Sequence, residues 1–241
     1  MNDYKAYIKQ YPIIQNLLDC YDHITPCGIL DLVQDIAGQH ANALGIGFYD
    51  LIEKGITWVI ARTKIEVLNF PPYATDVTVK TWPHKPSRID CDRDYQIIDK
   101  DGRVCVKVMT KWVIIDVNTR RLASPNGIFD PNGNYEQECN FDRLDSLRFT
   151  IDNPDQIYKT KVTMTMLDHN MHMNNSRYGE IVFDALKLNK DEIIKTFEIN
   201  YHSECHLDDE ISIFIKREEK NIYIDIKKDD VIKAKAFITL F

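Results

Sequence analysis

The sequence predicts an α+β fold of two tandem halves, each wrapping an antiparallel sheet around one long helix. Three observations carry this: an ordered internal repeat, a switch from helical to period-two spacing within each copy, and a composition suited to a packed core. The repeat comes first, because an unseen repeat misassigns a fold. YDHITPCGILDLVQDIA aligns with LDHNMHMNNSRYGEIVFDAL, setting Asp22 and His23 over Asp168 and His169 at an offset of 146. KIEVLNFPPYATDVTVK aligns with EINYHSECHLDDEISIF at an offset of 134, with Ile65 over Ile199 and Asp76 over Glu210. YQIIDKDGRVCVKVM aligns with YIDIKKDDVIKAKAF at an offset of 128, pairing Tyr95 with Tyr223 and Lys107 with Lys235.

In the first copy Ile29, Leu32, Val33, Ile36, Ala37 and Leu44 recur at helical spacing, from about Gly28 to Leu44. Thr25 and Pro26 precede them as an N-cap and first-turn pair. After Trp58 the alternation becomes period two, as in Val77-Thr78-Val79 and Val104 to Val108, with Asp101-Gly102 as a hairpin turn. Residues 119–156 hold Pro125, Gly127, Pro131, Gly133 and Pro154 without periodicity and read as a linker crossing a surface. The expected organisation is a first repeat over 1–118, a linker over 119–156, and a second repeat over 157–241.

The chain has 241 residues, 44% hydrophobic and 28% charged, with 9 Gly and 9 Pro, which excludes disordered and collagen-like classes. No apolar run reaches the roughly 20 residues of a transmembrane helix. The N-terminal MNDYKAYIKQ lacks the apolar stretch of a signal peptide, so a cytoplasmic location is expected. Six cysteines without a CxxC pair fit reduced thiols. The net charge of -7 argues against nucleic acid, yet Lys54 to Arg121 hold 13 Lys and Arg against 8 Asp and Glu, a local +5 that leaves -12 elsewhere. Such a basic segment suits an acidic partner, and equally a strand-rich segment with a wet basic face.

Chemistry-bearing residues concentrate before the second helix, at Asp168, His169, Asn170, His172, Asn174 and Asn175. At the offset of 146, Asn170 and His172 replace Ile24 and Pro26, so the second copy reads as having gained acid-base and hydrogen-bonding groups. Asn174 and Asn175 suit the helix start, whose free amides favour developing negative charge. Glu204 and Cys205 stand where the first copy has Phe70 and Pro71. A carboxylate there must be solvated or partnered, with His172 the expected partner.

The run Asp168-x-Asn170-x-His172-Met173-Asn174-Asn175-x-x-Tyr178, followed by Glu204-Cys205, resembles the acyl-acyl carrier protein (acyl-ACP) thioesterases of plants and bacteria. Trp58, Arg62 and the segment Lys111 to Asp116 extend the resemblance over most of the chain. It departs at Met166, where the plant pattern has Asp, and at Met173, where it has Val. The resemblance implies a double hot-dog fold and hydrolysis of acyl-ACP to free fatty acid, which terminates fatty acid synthesis. It implies catalytic Asp168, Asn170, His172 and Glu204, with Cys205, Asn174 and Asn175 as auxiliary groups and no cofactor or metal. Either a carboxylate activates water or attacks directly, or Cys205 is the nucleophile; the carboxylate route is preferred.

The small Ala37, Gly38 and Ala41, with Trp58 and Arg62, are expected to bind the acyl chain, and Lys80, Lys85, Arg88 and Arg93 to receive the carrier protein. An acyl-CoA thioesterase, a hot-dog dehydratase or a non-catalytic acyl-binding module would share the fold. A zinc site drawn from His169, His172, His202, Cys205 and His206 is a further reading, without the spacing of a helical zinc motif. The tandem copies supply within one chain the pairing that single hot-dog chains obtain by dimerising, so a monomer and a homodimer both fit.

Overall fold

Alternating apolar residues along the strand segments build one large antiparallel sheet beside a short parallel pair of strands, and the computed structural model describes the chain over residues 3–241. In chain order the elements are β1 (Asp3–Tyr4), β2 (Tyr7–Pro12), α1 (Pro26–Ala43), α2 (Phe48–Ile52), β3 (Ile56–Val67), β4 (Asp76–Pro83), β5 (Asp90–Ile98), β6 (Val104–Asp116), β7 (Leu122–Ala123) and β8 (Asn134–Tyr135). They continue with β9 (Gln156–Lys161), α3 (Asn175–Leu186), β10 (Ile194–Tyr201), β11 (Glu210–Glu218), β12 (Asn221–Lys228) and β13 (Val231–Leu240). The sheet runs β2-β4-β5-β6-β3-β10-β13-β12-β11-β9, with β7 appended to β6. The seam between the halves is β3 against β10, antiparallel, with Phe197 opposite Ile65 and Ile199 opposite Thr63.

The two long helices, α1 and α3, lie on one face of this sheet in the main core. Ile29, Val33 and Ile36 of α1 and Ile181, Val182 and Ala185 of α3 meet inward residues of both halves, including Val79, Val108, Phe197, Ile213, Ile224 and Ala236. Thr25 caps α1 by accepting from Gly28 N at 3.0 Å, with Pro26 in the first turn. Gly28 is required by packing, since a Cβ there would lie 2.5 Å from Leu17 O. Asn174 caps α3 by accepting from Ser176 N at 2.9 Å.

The segment between β7 and β9 crosses the outer face of the sheet strand by strand. Glu138 O accepts from Trp82 Nε1 on β4, and Asn140 Nδ2 donates to Tyr95 O on β5 at 2.7 Å and Val108 O on β6 at 3.0 Å. Leu144 O then accepts from Arg62 Nη1 on β3, Leu147 N donates to Asn200 Oδ1 on β10, and Phe149 O accepts from Lys235 Nζ on β13. This strap covers Trp82, which is 0% exposed, and leaves β5 buried on both faces. Asn140→Ala, which removes two of these bonds, is expected to cost about 1–3 kcal/mol in denaturant unfolding.

The structure corrects the register of the first repeat match. Asp19 N donates to His23 O and Asp168 N to His172 O, and the bridges Leu18 to Ile24 and Leu167 to Met173 are equivalent. Asp19 Oδ1 accepts from Tyr21 N and His23 N, as Asp168 Oδ1 accepts from Asn170 N and His172 N. Asp22 and Met171 hold the same left-handed backbone, φ 65 and φ 60. The offset here is therefore 149, so Asn170 and His172 replace Tyr21 and His23. Matching the Asp-His dipeptides follows residue identity, whereas the turn is set by the carboxylate that collects the amides two and four residues on. The offsets of 134 and 128 hold, since Leu68 N and Asn69 N donate to Cys105 O as His202 N and Ser203 N donate to Lys233 O.

Candidate active site

The turn before α3 is organised by Asp168, whose Oδ1 accepts from Asn170 N at 2.8 Å and from His172 N at 3.2 Å. It is zipped onto the segment after β10 by a bridge between His172 and His206 and by Met173 N donating to Cys205 O at 2.8 Å. Lys233 Nζ anchors that segment through Glu204 O at 2.9 Å. These backbone contacts set the Glu204 carboxylate opposite His172, with Oε2 at 3.4 Å from Nε2. The expected pairing of Glu204 with His172 is thus present.

A residue the sequence reading did not single out completes the pair. Arg120 Nη2 donates to Glu204 Oε1, placing a fixed positive charge on the carboxylate's other oxygen. It is aimed by a turn in which Asp116 Oδ1 accepts from Asn118 N and Thr119 N, with Arg120 itself at φ 58. The sequence signal was the Arg pair after an Asp-x-Asn-Thr turn, at the boundary assigned to the linker. Burial, and next the neighbouring His206, push the His172 imidazole below its ordinary range. It is therefore neutral at neutral pH and able to accept a proton.

The two halves differ most at this carboxylate. The first half keeps the same turn with Asp19 and His23, but its His23 ring packs against Phe70, 4.8 Å between centroids, where His172 meets Glu204. The cleft beside His23 holds about 20 Å³, too little for a substrate. The cleft beside His172 opens into a cavity of about 660 Å³.

That cavity has a polar end and an apolar body. Asp168, Asn170, His172, Asn174, Asn175, Arg120 and Glu204 line the polar end. The body is walled mainly by the first half, through Ala37, Gly38 and Ala41 on α1, Trp58 on β3 and Trp112 on β6, with Phe129 of the strap segment. Trp58 is held by Nε1 donating to Ile46 O at 2.9 Å. A Cβ on Gly38 would meet nothing within 4 Å, so the glycine borders open space.

Three expected residues lie elsewhere. Cys205 is 0% exposed within the core and outside the cavity lining, and burial raises its thiol while the Tyr178 hydroxyl is its hydrogen-bonding neighbour. Arg62 also stays outside the lining and holds the strap through Leu144 O and Ser146 Oγ. Arg93 is buried and faces the cavity, donating to His40 Nδ1 at 3.0 Å, so it offers no surface to a carrier protein. Burial, and next Arg93, push His40 down to about 3, which keeps it a neutral acceptor. Of the other basic candidates, Lys80 is engaged by Glu138 at 2.8 Å and lies over the Trp82 ring. Lys85 and Arg88 are exposed on the β4–β5 hairpin, just beyond Pro83 of the cavity wall. Of the five zinc candidates, His172 and His206 do converge with Glu204, their ligand atoms within 4.8 Å of one another, while Cys205 stays in the core.

Two helices held in one continuous antiparallel sheet, with an apolar cavity running from one half to a His-carboxylate pair in the other, make this a tandem hot-dog protein. Residues 4–126 match the family model of the acyl-ACP thioesterase N-terminal domain and residues 151–239 that of the C-terminal domain; the chain belongs to the acyl-ACP thioesterase family. It is 28% identical over 207 residues to oleoyl-acyl carrier protein thioesterase 1, chloroplastic, of Arabidopsis thaliana, covering 75% of this chain and 55% of that protein. It is 25% identical over 195 residues to the chloroplastic dodecanoyl-[acyl-carrier-protein] hydrolase of Umbellularia californica, covering 75% and 51%. The chain thus spans about half the length of these curated relatives. In fold it is similar to an acyl-ACP thioesterase from Bacteroides thetaiotaomicron, with a TM-score of 0.87 at 24% identity and 98% of each chain covered. It is likewise similar to the 12:0-ACP thioesterase from Umbellularia californica, with a TM-score of 0.85 at 19% identity, covering 98% of this chain and 97% of that one.

Proposed function

We propose that this protein hydrolyses the thioester of acyl-ACP, releasing free fatty acid and ending chain elongation. The observation that carries this reading is the His172–Glu204 pair at the polar end of an apolar cavity long enough to be walled by both halves. In this reading residues 1–118 hold the acyl chain and receive the carrier, 119–156 strap the halves, and 157–241 supply the chemistry. One chain is then the catalytic unit, because the β3–β10 seam already joins the halves. Among the described residues no helix is long and apolar enough to cross a membrane, and the reaction is assigned to the cytoplasm with the carrier.

In the proposed reaction neutral His172, rather than the expected carboxylate, is the base, because Glu204 is engaged by Arg120 and Asp168 Oδ1 by the turn amides; His172 takes a proton from water as the water oxygen attacks the thioester carbon. Glu204, pinned by Arg120, orients the imidazole and stabilises its protonated form. The Asn170 side chain and the Asn175 amide serve the oxyanion, since the neighbouring amides of Asn174, Ser176 and Arg177 already donate to Met166 O, Asn174 Oδ1 and Asn174 O. Collapse of the tetrahedral intermediate breaks the C–S bond, and the leaving thiolate takes the proton from His172. Asp168 holds the turn that positions Asn170 and His172. Since the base acts when neutral and its pKa is lowered, activity is expected to persist below the ordinary histidine range and fall only at more acidic pH. An acid limb above that range in the pH profile of kcat/KM would exclude His172 as the base.

A ladder of ACP thioesters, assayed for free acid beside the matching CoA thioesters, tests the function. Release from ACP with little from CoA supports the reading. Preference for CoA favours the acyl-CoA alternative, dehydration without hydrolysis the dehydratase, and binding without turnover the acyl-binding module. For the carrier, Lys85→Glu with Arg88→Glu is expected to raise KM for ACP substrates while hardly changing hydrolysis of a small thioester. Salt is expected to act in the same selective way, since the Debye length falls from about 10 Å at 0.1 M to 3 Å at 1 M. Equal effects on both substrates would make this hairpin a solvated face only.

A further inference from the structure

On the face of the sheet opposite the cavity, the strap lays Cys139 against two side chains that the hydrolysis does not use. Cys139 Sγ lies 3.8 Å from His84 Nδ1, and His84 Nε2 lies 3.0 Å from Asp94 Oδ2. One ligand atom from each of the three falls within 4.8 Å of the others. His84 directly follows β4, Asp94 is central in β5, and Cys139 sits between the two most firmly tied residues of the strap. Glu138 binds Trp82 and Lys80, and Asn140 binds Tyr95 O, Val108 O and Asp94 Oδ2. The thiol is therefore held in place although it is exposed.

Two further observations point to a cation. Asp94 is 0% exposed, and while Oδ2 accepts from Asn140 N and meets His84, its Oδ1 is buried with no partner. An orphaned buried carboxylate oxygen is costly, and a ligand there offsets that cost. The carboxylates of Asp94, Asp142, Asp92 and Glu138 also stand around the thiol. Of the lysines around the strap, Lys80 is engaged by Glu138 and Lys111 by Asp90 and Asp92, while Lys107 acts on Glu138.

We propose that His84, Asp94 and Cys139 form a binding site for a borderline-soft divalent transition cation of the zinc class. One imidazole nitrogen, one carboxylate oxygen and one thiolate make a mixed donor set that suits zinc; magnesium and calcium take oxygen shells. The fourth position opens to solvent beside the exposed Cys139 and takes water. Binding forms the metal–sulfur bond as the thiol proton leaves to solvent, with no change of oxidation state. The occupied site clamps the strap to β4 and β5, which stabilises the folded chain by mass action.

Cobalt(II) titration of the full chain, kept reduced with a non-chelating phosphine, tests this. A near-ultraviolet thiolate-to-cobalt band should saturate at one equivalent, be displaced by zinc, vanish in Cys139→Ser and need at least about tenfold more cobalt in His84→Ala. Cobalt held at His172, Glu204 and His206 would give no such band, because that cluster has no thiol. In the unmodified protein, zinc should slow alkylation of Cys139 at least about tenfold while leaving the exposed Cys20 unchanged. Absence of the band, its survival in Cys139→Ser, or equal alkylation rates with and without zinc would overturn the proposal.

Discussion

His172→Ala and Glu204→Ala are each expected to lower turnover at least about 100-fold with the fold intact, the scale of losing a general acid-base group or its orienting partner. Both side chains are partly exposed, at 20% and 32%, so their removal opens no core cavity. The turn itself survives, because it rests on Asp168 Oδ1 and on the backbone bridge between His172 and His206. Cys205→Ala is the internal control. Its thiol is buried and raised, away from the cavity, so substantial activity should remain. Single-turnover assays with circular dichroism as a fold check decide the matter. Near-normal rates in both variants would remove this site, and an acyl group trapped on Cys205 would replace its mechanism.

Gly38→Leu is expected to shift the released acids toward shorter chains. The position faces open space in the cavity and lies in the middle of α1, where leucine also improves helix propensity. Each chain methylene denied apolar burial loses about 0.8 kcal/mol, roughly fourfold, so excluding four moves the ratio of long to short products by about two orders of magnitude. Turnover of chains short enough to avoid the new side chain should hardly change, because the polar end is contributed by the second half and Arg120, away from α1. Competition between ACP thioesters of different length, read by mass spectrometry of the acids, measures this ratio. An unaltered product profile in a folded variant would put the acyl chain somewhere other than beside α1.

Much of this arrangement was legible in the chain because it is written in local patterns. Period-two alternation marks strands, the Thr25-Pro26 pair marks the start of α1, and the Asp168 to Asn174 run marks a turn that feeds a helix cap. The pairing of His172 with Glu204 followed from a carboxylate occupying an apolar position of the repeat. The repeat register at the first turn was misread because residue identity and backbone geometry disagree there by three positions.

What the tertiary structure alone decided are contacts between groups with no shared local pattern. Arg120 and Glu204 are 84 residues apart, and only the folding of the β6–β7 turn over the second half brings them together. Alternation shows that a strand has two faces but not what covers each. Arg93 therefore read as a surface cation until α1 was seen over one face of β5 and the strap over the other. Arg62 read as a substrate contact until the strap was seen to take its guanidinium. The sequence by itself determined the periodic elements, the tandem order and the reactive turn, since each depends on residues within a few positions of one another. Cavity, strap and the Arg120–Glu204–His172 line depend on how separate elements pack, and that is settled only when both halves close on one core.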